Sequence, residues 1–95
     1  MAGMVEVDLG RRAYASEAWL EAYERLSAAD RREALGAQDV GLLATSAYMI
    51  GRESEYLVLL ERAYRAHLTA GERLEALRRA FWLGIGLAGR GDVGR

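Results

Sequence analysis

The 95-residue sequence predicts an all-α fold built from antiparallel helix pairs, about five helices in one domain. Three observations carry that prediction. Pro is absent while Ala, Leu, Glu and Arg dominate, and these are strong helix formers. Large apolar residues recur every three or four positions, and alternating strand patterns are missing. The pattern of one helix pair also returns at a fixed interval further along the chain.

The elements follow in order. A first helix is predicted from about Val5 to Ala15. Ser16 can cap the second, SEAWLEAYERLSAAD, in which Trp19, Leu20, Tyr23 and Leu26 keep helical spacing. Asp39 can cap a third helix ending at Gly51, where a glycine suits the C-terminal turn. Ser54 can cap a fourth, with Leu57, Leu60, Tyr64 and Leu68 in one stripe. Gly71 separates it from a fifth, ERLEALRRAFWLGIGLA. Glu53, Glu55, Glu72 and Glu75 open these last two helices, where a carboxylate is favoured by the helix dipole.

The repeat is read residue by residue. Leu9-Gly10-x-x-Ala13 returns as Leu43-Ala44-x-x-Ala47, and the same interval carries Ala22 to Tyr56, Leu26 to Leu60 and Ala29 to Ala63. A third copy begins at Leu83-Gly84-x-x-Leu87, after a somewhat longer interval. The units are approximately 3–36, 37–71 and an incomplete 72–95. Helices close to roughly 8–10 Å only where a small residue leaves room at the crossing. Gly10, Ala22, Ala44, Ala63 and Gly84 are the expected packing positions.

Spacing and pattern resemble the tetratricopeptide repeat, whose first helix carries large-x-x-Leu-Gly-x-x-Tyr and whose second carries a small residue, then a large one, then Ala. The sequence departs from it at Ala13, Ala47 and Leu87, where the motif has tyrosine, at Tyr56, where it has a small residue, and at Val40 and Ala80, where it has its first aromatic. The motif's terminal proline is also missing. The expectation is a short tetratricopeptide-like solenoid with its last repeat unfinished. A plain five-helix bundle is the alternative. Over residues 10–95, three stretches are similar to the helical-repeat segment of large actinobacterial regulators of the LuxR type. They are Trp19-x-x-Ala22-Tyr23-x-x-Leu26-Ser27-x-Ala29-Asp30, Ala47-Tyr48-x-x-Gly51-Arg52-x-x-Glu55-Tyr56 and Ala80-Phe81-Trp82-Leu83-Gly84. That resemblance implies a regulatory or scaffolding segment, and a longer array in which another helix follows Gly91-Asp92. The regulators' DNA-binding domain has no counterpart here, so transcriptional activity is not implied for this polypeptide.

Composition limits the chemistry. With 52% hydrophobic residues the chain can bury a core, and a net charge of −1 offers no overall attraction to nucleic acid or anionic lipid. All basic residues are Arg, and there is no Cys for a disulfide, thiolate site or nucleophile. No apolar run approaches the roughly 20 residues of a membrane span. The N-terminal stretch carries acids where a signal peptide carries bases. A cytoplasmic protein without cofactor or metal is expected. His67 stands alone as a ligand or catalytic candidate, and no acid–base pair appears. Phe81, Trp82, Leu83 and Ile85 are the wrong surface for a DNA groove. GLAGRGDVG follows a helix and lacks Gly-Lys-Ser/Thr, so it reads as a turn rather than a phosphate loop, with Asp92 as a helix cap.

The fifth helix is apolar on more than one side, which calls for cover from elsewhere. Phe81, Trp82, Leu83 and Leu87 are therefore expected to associate with a second copy or another protein. A concave partner-binding face is expected along the first helix of each pair: Arg11 and Tyr14, then Thr45, Tyr48 and Met49, then Arg78, Phe81 and Ile85. Arg and Tyr are frequent hot-spot residues, and Met adapts to varied surfaces. For any one of them the alternative is a core aromatic or a solvated Arg. The expected function is a non-catalytic protein-interaction or signal-sensing module with a protein or peptide partner, a homo-oligomer included. A structural helical homodimer and a small all-α enzyme are the alternatives.

Overall fold

The computed structural model describes the backbone of residues 2–89 and the side chains of residues 5–82. Among the described residues there are five helices and no strand: α1 (Ala2–Ala15), α2 (Trp19–Arg32), α3 (Ala37–Met49), α4 (Glu53–Thr69) and α5 (Arg73–Gly89). Each helix packs on the next along the chain, and α1 also touches α3.

The turns explain the boundaries. At the end of α3, Gly51 adopts φ 83°; its N–H donates to Tyr48 O at 3.1 Å and the Arg52 N–H to Ala47 O at 2.9 Å. This paired arrangement satisfies carbonyls that a helix end otherwise leaves open. Gly71 repeats it after α4, with bonds to Leu68 O and His67 O. Glu17 repeats it after α1 at φ 61°, with bonds from Glu17 to Tyr14 O and from Ala18 to Ala13 O. Glu17 and Gly51 are separated by the interval at which the sequence pattern returns. A non-glycine residue in this left-handed conformation costs roughly 1–2 kcal/mol, which the turn must offset.

These turns overturn the expected caps. The residues preceding α2, α3 and α4 are Ala18, Gly36 and Arg52, none with a side-chain cap bond. Ser16 is absorbed into the turn closing α1, and Ser54 already lies inside α4. Asp39 lies in the first turn of α3 and accepts two bonds from Arg11, Nε at 2.9 Å and Nη2 at 2.7 Å. The connection from α2 to α3 has a different basis. Asp30 accepts the Leu35 N–H at 3.0 Å and pairs with Arg62 of α4 at 2.8 and 2.5 Å, holding the end of α2 against α4.

Burial follows the recurring sequence interval. Gly10 and Ala44, Ala13 and Ala47, Leu26 and Leu60, and Ala29 and Ala63 are all buried, each pair matched across the repeat interval. Gly10 is where α1 meets α2: a methyl there would stand 2.7 Å from Leu26 Cγ, and Leu26 is fully buried. Ala22 is fully buried too, whereas its counterpart Tyr56 is half-buried and its ring lies 5.0 Å from that of Tyr48. Two expected stripes are corrected by this packing. Leu20 and Leu68 are exposed, because the small residues Ala22, Ala29 and Ala63 and the imidazole of His67 occupy the contact faces instead. The surroundings of Gly84 lie outside the described residues.

Gly10→Ala should destabilise the chain by about 1–3 kcal/mol in urea unfolding, despite alanine's better helix propensity, because it overpacks Leu26. A second expectation concerns acid. The Arg62 guanidinium, helped by the Leu35 N–H, holds the Asp30 carboxyl below the usual carboxylate range against the opposing effect of burial. A group held lower in the folded state stabilises fully above its unfolded pKa and loses that contribution as pH falls through the folded value. Stability should therefore decline from about pH 4 downward. Asp30→Asn should reduce both the stability at neutral pH and the slope of that acid decline, measured by urea midpoints across pH.

Candidate functional site

Helical spacing assembles a groove of about 620 Å³ between α1, α3, α4 and α5. From α3 come Gln38, Gly41, Leu42, Thr45, Tyr48 and Met49, and from α5 Glu75, Arg78, Arg79 and Trp82. Both sets step by three or four residues, so each is one helix face. Tyr14 of α1 and Tyr56 and Leu60 of α4 complete the lining.

The groove is aromatic with a narrow polar strip. Tyr48 and Tyr56 form one tilted pair, and Tyr14 meets Trp19 edge-on at 5.3 Å. Thr45 already donates its hydroxyl to Gly41 O at 3.2 Å. Arg78 pairs with Glu75 at 3.2 Å. Arg79 has no ion-pair partner among the described residues, and its buried Nε meets no acceptor there. Its guanidinium lies directly against Gly41: a side-chain carbon there would come within 2.8 Å of Arg79 Cζ. Burial raises the Tyr56 phenol above its usual pKa, with Tyr48 adding to the rise and the Arg79 charge opposing it.

Five of the residues expected on a concave face line this groove: Tyr14, Thr45, Tyr48, Met49 and Arg78. Arg11 does not; its guanidinium is held by Asp39 beside a separate, smaller recess. Phe81 is 63% exposed and not part of the lining; its neighbour Trp82 takes that place, with the two rings edge-to-face at 5.7 Å. Ile85, Leu83 and Leu87 lie outside the described side chains, as do Asp92 and the GLAGRGDVG turn beyond Gly89. Sequence spacing does not single out Gly41 or Gln38 and marks Tyr56 only as a departure from the repeat motif; Arg79 sits one helical turn from Glu75 and Trp82.

Leu74, Leu77 and Phe81 form a second feature, a stripe along α5 at i, i+3 and i+7 with exposures of 77%, 64% and 63%. Ala76 faces the opposite way and is buried. The stripe extends to the half-exposed Trp82. Leu74 and Leu77 precede the densest apolar run of the sequence, so hydrophobic density alone does not mark them.

His67 lies apart from both features. It is 1% exposed and its Nδ1 is 2.7 Å from Glu72 Oε1, so it fastens the turn between α4 and α5. Its Nε2 has no partner among the described residues. No group of three or more potential metal-binding side chains occurs among the described residues, and no described helix is long and apolar enough to cross a membrane. No protein-family model, curated protein or solved structure matches the chain.

Proposed function

We propose that the chain is a non-catalytic, tetratricopeptide-like recognition module that engages a protein partner through the uncovered face of α5. The observation that carries this reading is the apolar stripe Leu74–Leu77–Phe81 with Trp82 beside it, on a helix whose opposite face is buried. Fully burying one such side chain stabilises by about 1.5–3 kcal/mol, so covering several together supplies a substantial driving force for association. Contiguous exposed apolar surface of this kind marks interaction sites in soluble proteins.

The repeat reading is supported by the coincidence of three features at one interval. Buried small residues, buried leucines and the left-handed turn residues Glu17 and Gly51 all recur together. In a stacked array each pair covers the face left open by its neighbour, and a pair without a neighbour presents that face to a partner. The role within a bacterial regulatory system rests on the sequence resemblance alone.

The test is light scattering over a wide concentration range. The wild-type chain is expected to self-associate as concentration rises, because a second copy is the partner always present. Phe81→Glu should shift the mass towards monomer while leaving the circular dichroism spectrum and unfolding midpoint nearly unchanged. A wild-type monomer at every concentration, or unfolding of Phe81→Glu, would count against the reading.

A further inference from the structure

The groove differs in kind from the α5 stripe, since it combines aromatic walls with a cation, Arg79, that has no ion-pair partner among the described residues. We propose that it is a separate small-ligand site for a planar aromatic carboxylate, with the ring held between the tyrosines and Trp82 and the carboxylate on Arg79. This goes beyond the partner reading of α5 and stands or falls without it.

Size is the first support. About 620 Å³ falls within the roughly 300–1,000 Å³ of small-molecule sites, which are lined mainly by apolar and aromatic groups with few polar ones. The walls are the second: Tyr14, Tyr48, Tyr56 and Trp82 offer π faces and edges against which a flat ring packs well. Arg79 is the third and decides the charge. Its Nε is enclosed, but Arg79 lines the groove, and an anion there offsets the cost of holding a guanidinium charge partly out of water. The fork of Arg matches a carboxylate through two parallel bonds.

The other polar groups narrow the class. Arg78 is neutralised by Glu75, and Arg11 by Asp39, so among the described residues Arg79 is left to face an anion in the groove. A dianion such as a phosphate monoester would bring a second charge, and the other guanidinium of the lining, Arg78, is already paired with the carboxylate of Glu75. A single carboxylate fits. Gly41 belongs to the device, because a side chain at that position would push the guanidinium out of its place.

The test is calorimetric titration of the full chain with benzoate and indole-3-acetate, against benzamide, acetate and inorganic phosphate. The Phe81→Glu chain serves as host where the wild type associates. Both aromatic carboxylates should bind. Benzamide, which keeps the ring, and acetate, which keeps the charge, should each bind at least about tenfold more weakly. Arg79→Gln should cost about tenfold or more, whereas Arg78→Gln should change affinity by less than about threefold. Gly41→Ala should weaken binding without lowering the unfolding midpoint, since alanine favours the helix interior. That variant separates loss of the site from loss of the fold. Equal affinity for benzamide and benzoate would overturn the proposal, as would undiminished binding by Arg79→Gln or preference for phosphate. So would binding of an acidic peptide where neither small carboxylate binds. None of these results bears on association through α5, which light scattering reads independently.

Discussion

The close approach of α1 to α2 over Gly10 is the constraint on which the rest depends. Leu26 is fully buried because the residue opposite it has no side chain, and Ala13, Ala22 and Ala29 continue the seam with little bulk. Ala44, Ala47, Leu60 and Ala63 occupy the corresponding positions of the next pair. Alanines gain little each on burial, so close packing of these seams works together with the buried Leu26, Val40, Leu43, Leu57, Leu59 and Leu60. Ion pairs then hold these thin layers in register. Arg11–Asp39 ties α1 to α3, and Arg62–Asp30 ties α4 to the end of α2.

Where a large residue breaks the small-residue pattern, the site appears. Tyr56 stands where the first pair has Ala22, and its ring leans on Tyr48 instead of closing the seam. The space beside it is filled from α5 by Arg79, for which Gly41 clears the way. Thus α5 has two unlike faces. One carries a cation into an aromatic groove, and another offers leucines and Phe81 to solvent.

Much of this was legible in the sequence for physical reasons. Helix number followed from composition and spacing, and the glycines at 51 and 71 marked turns because a left-handed residue is required there. Burial at Gly10, Ala44 and Ala63 followed from the recurring interval. Glu17 could not be read, since nothing in its chemistry announces a positive φ. The caps failed because tight turns join consecutive helices before Ser16 or Ser54 can reach a free N–H, and because Asp39 is engaged by Arg11 from another helix. The groove was half legible. Tyr14 on α1 and Tyr48 and Met49 on α3 fall on expected faces, but Tyr56 comes from α4, and the approach of Arg79 to Gly41 is a tertiary contact that no local period encodes.

One face of α5 is exposed in the isolated chain, and the proposed association would close it. Hydroxyl-radical footprinting at rising protein concentration measures this most directly. Rapid oxidation of Leu74, Leu77 and Phe81 is expected in dilute solution, falling as the chain associates, with Leu26 slow throughout. Oxidation of those three residues as slow as that of Leu26 in the dilute monomer would contradict it.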